Sequence, residues 1–292
     1  MVPCAFWFLR RSVLLACLLA GGLAGSAAVA QTHDLRYKPA LGDKLTRVVV
    51  LNGTVAAMDP EGREWLKVPV YIAAKQTTEF TSIEDDSFTV TVLVEDLAAR
   101  IADADLELAA TEATMELKMD YLGRVLSMTV VDPPAWTFFT GAMTAVGPAL
   151  LSIGRFKGEP VALGDNWAVE DLIDTGGKQF TAKCDTKLVE INERQAVLES
   201  TGEIAVPEFS LDMAGYQLDI KSGTLTLDQF RREFDLTTSK TSGVQAQLGV
   251  LLNTSTDVMK FGLRGTFQLA VGPPPPEEPA EAAQNPPAAA AP

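Results

Sequence analysis

The sequence predicts a mainly β protein, in which a curved, half-barrel-like antiparallel sheet packs on one apolar helix in the middle of the chain. Apolar and polar residues alternate with a period of two over several stretches, which is typical of strands with one buried face. Helical periodicity is confined to one mid-chain segment. A single cysteine outside the N-terminal leader excludes an internal disulfide, so the core alone must hold the fold.

The first 30 residues have the order of a secretory signal peptide. Arg10 and Arg11 precede an uncharged apolar run over about residues 13–24, and small residues at 28–30 give a cleavage site before Gln31. The apolar run is a dozen residues long, short of the ~20 that a membrane-spanning helix needs. The segment therefore predicts export, and the mature chain is expected to have no transmembrane span.

A lipid anchor is the alternative for this leader. Residues 14–17 read Leu-Leu-Ala-Cys, which resembles a lipobox and would make Cys17 a lipidated N-terminus. Only five residues separate Arg11 from Cys17, fewer than the ~7–15 of an apolar signal core. The spacing favours plain cleavage, and the predicted location is the periplasm or the cell surface.

The charge excludes several classes of function. The leader holds two of the 24 Lys and Arg residues, which leaves 22 against 38 Asp and Glu, a net charge of −16. Such a chain is repelled by nucleic acid and by anionic membrane surfaces. His33 is the only histidine and lies near the expected mature terminus, where we expect a frayed end. Histidine-based zinc sites and catalytic triads are therefore excluded, and no metal or cofactor is predicted.

The strands are predicted from alternating apolar residues, and a lone thiol falls on one of them. Cys184 shares a face with Phe180 and Ala182, which predicts a buried, unreactive side chain. Acidic residues 84–86 predict a turn between two strands, and residues 253–256 predict the turn of a hairpin with one dry face. The apolar stripes are Leu66, Val68, Val70, Ile72 and Ala74; Phe88, Val90, Val92 and Val94; Met115, Leu117 and Met119; Val244, Ala246, Leu248, Val250 and Leu252; and Met259, Phe261, Leu263, Phe267 and Leu269.

Two pairs of short segments suggest a degenerate internal repeat. Residues 39–43 (Pro-Ala-Leu-Gly-Asp) recur at 160–165 (Pro-Val-Ala-Leu-Gly-Asp), each before a run of strands. Residues 120–124 and 228–232 both resemble hairpin turns. The first interval is longer than the second, and residues 97–110 predict a short helix that accounts for the excess. Duplication is the hypothesis, and chance similarity of such short motifs is the alternative.

The mid-chain segment 133–154 contains no charged residue. Two prolines open it, which suits the start of a helix, and apolar residues then follow at steps of three and four. Pro148 and three glycines argue against a membrane span. We expect a buried helix across the concave side of the sheet that either fills the core or lines a cavity for an apolar ligand. The candidate ligand-binding residues are Trp136, Phe139, Met143, Val146 and Leu150.

These features divide the chain into five parts. The C-terminal part holds eight Pro and seven Ala among 21 residues and predicts a disordered tail. The parts are a signal peptide (1–30), a first β-rich half (31–132), the apolar helix (133–154), a second β-rich half (155–271) and the tail (272–292).

The combination of an export signal, a disulfide-free antiparallel sheet and one apolar helix resembles the half-barrel family of bacterial envelope proteins. This family includes the Lol-type lipoprotein carriers and the mycobacterial lipid-binding lipoproteins, and the resemblance covers roughly residues 35–271. The Gly-Asp-Asn-Trp motif at 164–167 is also similar to uncharacterised secreted bacterial β-rich proteins. The resemblance concerns architecture alone, and no ligand-contacting residue is carried over from it.

Three functions are weighed. The first is an exported envelope protein that holds an apolar ligand such as a lipid between sheet and helix. The second is a structural or protein-interaction module of the envelope with no small ligand. The third is an enzyme using carboxylates among Glu84, Asp85, Asp86, Glu170 and Asp171, but acids near turns are mostly solvated. No G-x-S-x-G or G-x-x-x-x-G-K-[ST] motif occurs. We predict no enzymatic activity and no catalytic residues.

Overall fold

The computed structural model describes residues 31–102, 104–105, 112–132, 153–175, 178–213, 216–256 and 259–274. From His33 onward these residues belong to one compact unit. Within the described ranges the chain forms thirteen strands. They are β1 (Lys44–Met58), β2 (Glu64–Ile83), β3 (Ser87–Ile101), β4 (Ala104–Asp105), β5 (Ala113–Asp120), β6 (Val125–Asp132), β7 (Asn166–Thr175), β8 (Lys178–Ile191), β9 (Gln195–Val206), β10 (Phe209–Met213), β11 (Tyr216–Asp235), β12 (Lys240–Ser255) and β13 (Lys260–Gly272).

All thirteen strands belong to one antiparallel sheet. Its order is β6-β5-β3-β2-β1-β13-β12-β11-β9-β8-β7, with β4 paired to β3 and β10 paired to β11. The two predicted halves are therefore joined edge to edge, because the first strand pairs with the last from Val48 opposite Gly272 to Met58 opposite Gly262. The strands β6 and β7 lie at the two edges of the sheet.

The predicted alternation of dry and wet faces is confirmed by the register of β12 and β13. Leu248 lies opposite Phe267, and the neighbouring Gln247 lies opposite Gln268. Directly paired residues of antiparallel strands point to the same face. We call the face that carries Leu248 and Phe267 the core face, and the opposite one the outer face.

The sheet curls around its core face. Tyr37 packs on Phe88 of β3 with ring centroids 5.8 Å apart and on Phe234 of β11 with centroids 5.6 Å apart. Four strands separate β3 from β11 in the sheet order. A flat sheet would hold two such residues about 24 Å apart, since five spacings of ~4.8 Å separate the two strands. The prediction of a mainly β protein with an antiparallel sheet is confirmed.

The prediction that the sheet packs on an apolar helix is wrong for the part of the chain that the structure describes, where no residue is helical. The described interior is filled instead by side chains of the sheet and by two extended segments, residues 33–37 and 153–163. Of the predicted helix 133–154, residues 133–152 lie outside the described ranges, and Ile153 and Gly154 form a turn. The short helix predicted over 97–110 is also wrong where it is described, because β3 continues to Ile101.

The repeated motif forms the same turn twice. Asp43 donates its N–H to the Ala40 carbonyl over 3.1 Å, and Asp165 donates its N–H to the Ala162 carbonyl over 3.0 Å. In both turns the aspartate carboxylate accepts a hydrogen bond from the same alanine's N–H. Each Gly-Asp pair precedes one strand and bonds the partner of that strand, at Phe80 of β2 before β1 and at Leu188 of β8 before β7. The two motifs are structurally equivalent.

The second landmark of the repeat is wrong. Residues 228–232 lie inside β11 and form no turn. The turn at 120–124 matches residues 59–63 instead, since both read Asp-x-x-Gly-Arg. In each, the first aspartate accepts the arginine N–H on its side chain over 2.8 Å, and the glycine has a positive φ.

The N-terminal segment is part of the core, so the expectation of a frayed end near His33 is also wrong. His33 and Val161 exchange two backbone hydrogen bonds of 2.8 and 2.9 Å. Leu35 is only 3% exposed and packs with Phe156 and Val161. These two segments, residues 33–37 and 153–163, cover one end of the curled core face.

Candidate ligand site

The core face changes from fully buried to half-buried along the sheet. Phe180 of β8, Ile204 of β9 and Leu227 of β11 are at most 2% exposed. Apolar residues of the same cluster on the central strands β1, β12 and β13 remain half-buried. These half-buried residues, which we call the apolar wall, are Leu51, Val244, Val250, Leu252, Phe261, Phe267 and Leu269.

The apolar surface extends from this wall onto the neighbouring strands β2 and β3. Leu51 lies opposite Ile72 of β2, which places Ile72, Val70 and Leu66 on the core face. Leu66 is 47% exposed, and Ile101 of β3, paired with Val70, is 42% exposed. The described residues thus leave a continuous band of apolar side chains partly open on the inside of the sheet.

Aromatic rings occupy the end of the core face that is covered by residues 33–37 and 153–163. Tyr37 lies 5.5 Å from Phe156, and Phe156 lies 4.7 Å from Phe234, measured between ring centroids. Trp167 donates its indole N–H to the Arg155 carbonyl over 3.0 Å. The rings hold this end of the sheet together, and two arginines lie beside them.

Arg232 is a buried cation. It lies on β11 between Phe230 and Phe234 and is only 4% exposed. Its guanidinium donates to the Gly154 carbonyl and lies 4.5 Å from the centroid of the Phe156 ring. Its Nε has no hydrogen-bond partner. Burial lowers the pKa of Arg232, because a charge removed from water is destabilised.

Arg47 of β1 is a second cation on the core face. Its guanidinium donates to the Thr241 carbonyl, and its Nε is also buried without a hydrogen-bond partner. Burial lowers the pKa of Arg47 as well. The Tyr37 hydroxyl is 2.9 Å from the Thr241 hydroxyl and close enough to influence the pKa of both arginines. Among the residues that the structure describes, neither guanidinium forms an ion pair with a carboxylate.

Other cations close to this end of the core face have counter-ions. Lys240 lies 2.5 Å from Asp43, and its hydrogen bond lowers the pKa of that carboxyl. Arg155 lies 2.9 Å from Asp171, a carboxylate that is 3% exposed. Burial raises the pKa of Asp171, and Arg155 and then Arg124 partly offset that effect. Unlike Lys240 and Arg155, the buried guanidiniums of Arg47 and Arg232 have no counter-ion among the described residues.

Of the acidic residues considered from the sequence, Glu84 and Asp86 lie close together at an exposed turn, where both accept from the Ser87 hydroxyl over 3.2 and 3.0 Å, whereas Glu170 and Asp171 are separated. Glu170 is on the outer face and binds Lys183 at 3.1 Å, whereas its neighbour Asp171 is buried on the core face. Glu84 binds Lys118 at 2.7 Å and accepts from Ser87. Both ion pairs are solvent-exposed, as is typical of surface charges that stabilise a turn or a strand pair. In the described ranges, no group of three or more His, Cys, Asp or Glu side chains is arranged to hold a metal ion.

Cys184 is buried, as predicted. It is 5% exposed, and burial raises the pKa of its thiol to about 11. A thiol with so high a pKa is almost entirely protonated at neutral pH and is a poor nucleophile.

The ligand-binding residues predicted from the sequence, Trp136, Phe139, Met143, Val146 and Leu150, lie outside the described residues. The structure instead draws attention to Arg47 and Arg232, which the sequence reading missed. The sequence nevertheless contained a pattern that could have identified both arginines. Each arginine occupies a position of the core-face alternation, Arg47 before Val49 and Leu51, and Arg232 between two phenylalanines.

Comparisons with known proteins give no family. No protein-family model matches the chain, and no curated protein matches it. Among solved structures, an outer membrane channel from Pseudomonas putida F1 is similar over 80% of this chain and 97% of that chain, with 8% sequence identity and a TM-score of 0.24. A likeness at that TM-score carries no argument. Within the described residues, no helix is long and apolar enough to cross a membrane.

Proposed function

We propose that this chain is an exported envelope protein that binds an apolar ligand, such as the acyl chain of a lipid, against the core face of its sheet. The single observation that carries the proposal is the apolar wall on β1, β12 and β13, which continues onto β2 and β3 and stays partly open. Export rests on the leader pattern of residues 1–30.

Covering the apolar wall with a ligand is energetically favourable. Burial of apolar surface contributes about 25 cal/mol per Å², so a chain that covers two or three half-exposed Leu or Phe side chains gains a few kcal/mol. Apolar concave surfaces with a few polar groups are the usual form of small-ligand sites.

The first prediction concerns Leu252 and Leu251, neighbours on β12 that point to opposite faces. We expect purified protein to bind the uncharged fluorescent probe N-phenyl-1-naphthylamine saturably, with enhanced fluorescence. Leu252→Gln places an amide on the core face beside Leu263 and should weaken binding about tenfold, the effect of losing a buried apolar contact. Leu251→Gln on the outer face, where Leu251 is 46% exposed, is the matched control.

Circular dichroism melts verify that both variants are folded. Native mass spectrometry of the unmodified protein, purified without detergent, gives an independent measurement by detecting co-purified lipid. If the probe does not bind and no lipid is carried, the proposal is wrong and the structural or protein-interaction module is the better description. Equal weakening by the two substitutions would likewise exclude the core face as the site.

We further propose that the protein is not an enzyme. This expectation is supported by the separation of Glu170 and Asp171 onto opposite faces and by the high pKa of the Cys184 thiol. Hydrolysis of an ester or glycoside panel that is lost on Asp171→Asn would contradict it.

A further inference from the structure

We infer that the ligand is an anionic amphiphile whose carboxylate or phosphate head group is bound by Arg47 and Arg232. The inference rests on the proposed function, because the head group belongs to the same molecule whose apolar chain covers the wall. It adds the chemical class of the ligand and its orientation, with the head group at the two arginines and the apolar chain along the wall.

The first argument is charge balance. A buried guanidinium without a counter-ion is costly, since desolvation of an ion costs several kcal/mol unless it is paired. The chain pairs Arg155 with Asp171 and Lys240 with Asp43 at the same end of the sheet. It supplies no carboxylate to Arg47 or Arg232 among its described residues. An anion brought by a ligand balances these two charges.

The second argument is the supply of donors. The Nε atoms of both arginines are buried without partners, and each guanidinium carries five N–H donors in a planar fork that suits carboxylate and phosphate. The Tyr37 and Thr241 hydroxyls lie beside them, 2.9 Å from each other. Two buried guanidiniums, each with an unpaired Nε, thus lie beside two hydroxyls, and this is the composition expected of an anion site.

The third argument is the position of the charges relative to the wall. Arg47 is followed on the same face of β1 by Val49 and Leu51, and Arg232 is paired with Val244, which packs against the same cluster. The charged end and the apolar band are therefore continuous. The outer surface of a chain with formal net charge −14 repels anions, so binding depends on the local positive charge inside the sheet.

The test compares ligands that share one chain and differ in the head group. Dodecanoate, dodecyl phosphate and 1-dodecanol compete with N-phenyl-1-naphthylamine for the purified protein at monomeric concentrations. We expect at least one of the two anions to bind about tenfold or more tightly than the alcohol, because charge-assisted hydrogen bonds strengthen binding. The two anions distinguish a carboxylate from a phosphate head group.

Arg231 and Arg232 provide a matched pair of variants. Arg231 lies on the outer face, where it binds Glu199 at 3.1 Å, whereas its neighbour Arg232 is buried on the core face. Arg232→Met should abolish the preference for the anion and leave binding of the alcohol within about twofold, and Arg231→Met should change neither. Arg47→Met, at a half-buried position, makes the same test if Arg232→Met does not fold.

The outcomes separate the two ideas. Equal affinity for the alcohol and both anions overturns the anionic head group and leaves apolar binding standing. A preference for the anion that persists in Arg47→Met and Arg232→Met also overturns it. Displacement by none of the three, together with no binding of the fluorescent probe, overturns the proposed function itself.

Discussion

Gly154 sits where residues 153–163 begin to cover the end of the core face. Its φ of +68° lies in the left-handed region, and a Cβ added to it would be 2.9 Å from the Ser200 hydroxyl. That hydroxyl is buried and hydrogen bonds with Thr186 over 2.9 Å. A methyl group at residue 154 therefore meets both backbone strain and a neighbour that is already held in place.

We expect Gly154→Ala to lower the free energy of unfolding by about 2 to 4 kcal/mol, from left-handed strain of ~1 kcal/mol plus overpacking. Gly164→Ala is the matched control, since Gly164 has a φ of +90° but open space around it, and should cost only the ~1 kcal/mol of strain. Urea unfolding of the two variants measures the difference. Equal losses would show that Ser200 moves aside without cost.

Individual residues were predicted when their environment follows from the strand pattern. Cys184 shares its face with Phe180 and Ala182, so its burial could be read from alternation alone. The roles of Arg47 and Arg232 could not, because an arginine at an apolar position of a strand is equally compatible with an edge or a bulge. Only the sheet order shows that β1 and β11 bring the two guanidiniums to the same tyrosine.

At the scale of elements, the repeated Gly-Asp turn joins the start of one strand to the neighbouring strand with which it pairs. The Asp165 carboxylate accepts from the Ala162 N–H over 3.0 Å, while its main chain bonds Leu188 of β8. The turn therefore orients β7, an edge strand that pairs by backbone hydrogen bonds with β8 alone. Because β7 pairs with β8 alone, no second strand compensates for a hydrogen bond that is lost at its start.

We expect Asp165→Ala to destabilise the protein by about 1 kcal/mol, the typical contribution of one such hydrogen bond. Asp165→Asn keeps an acceptor oxygen and should cost less than half as much. The free energies of unfolding of the two variants in urea provide the measurement. Similar losses for Asn and Ala would mean that the carboxylate charge, and not the hydrogen bond, stabilises the turn.

The strands with the clearest alternation could be predicted, and the predicted helices were wrong where the structure describes them. A period of two along 244–252 and 259–269 leaves little choice, because only a strand places every second residue on one face. Residues 97–101 lack that clarity, and their Ala and Leu content suggested a helix. Pairing of β3 with β2 overrides that preference in the structure. The turn predicted at residues 228–232 was wrong, because a short sequence motif predicts a turn poorly when the hydrogen bonds of the turn are unknown.

For the whole molecule, acid should weaken the fold through its turn carboxylates. The pKa of Asp59 is lowered mainly by the Arg63 N–H, and that of Asp235 mainly by the Thr238 N–H. A folded-state pKa below the unfolded one stabilises the fold above the unfolded pKa, and this stability is lost as the pH falls through the folded pKa. Asp171 acts in the opposite direction, because burial raises its pKa.

We therefore expect the urea midpoint to fall as the pH is lowered from about 5 to 2. The double variant Asp59→Asn, Asp235→Asn keeps acceptor oxygens that do not titrate in this range, so its midpoint should decline less steeply. Midpoints measured at several pH values test this. A wild-type midpoint that stays constant or rises on acidification would show that Asp171 and not the turns dominates.

Because β1 pairs with β13, the middle of the sheet cannot form until the last strand of the chain is available. The first strand of the chain, β1, lies next to the middle of the sheet, and one of its two neighbours is the last strand, β13. Until β13 is available, β1 and β12 each expose an unpaired edge next to the apolar wall, and such edges promote aggregation. Closing so long a loop makes folding slow. A chain shortened before Lys260 would therefore lose the contact that joins its two halves, as well as one strand.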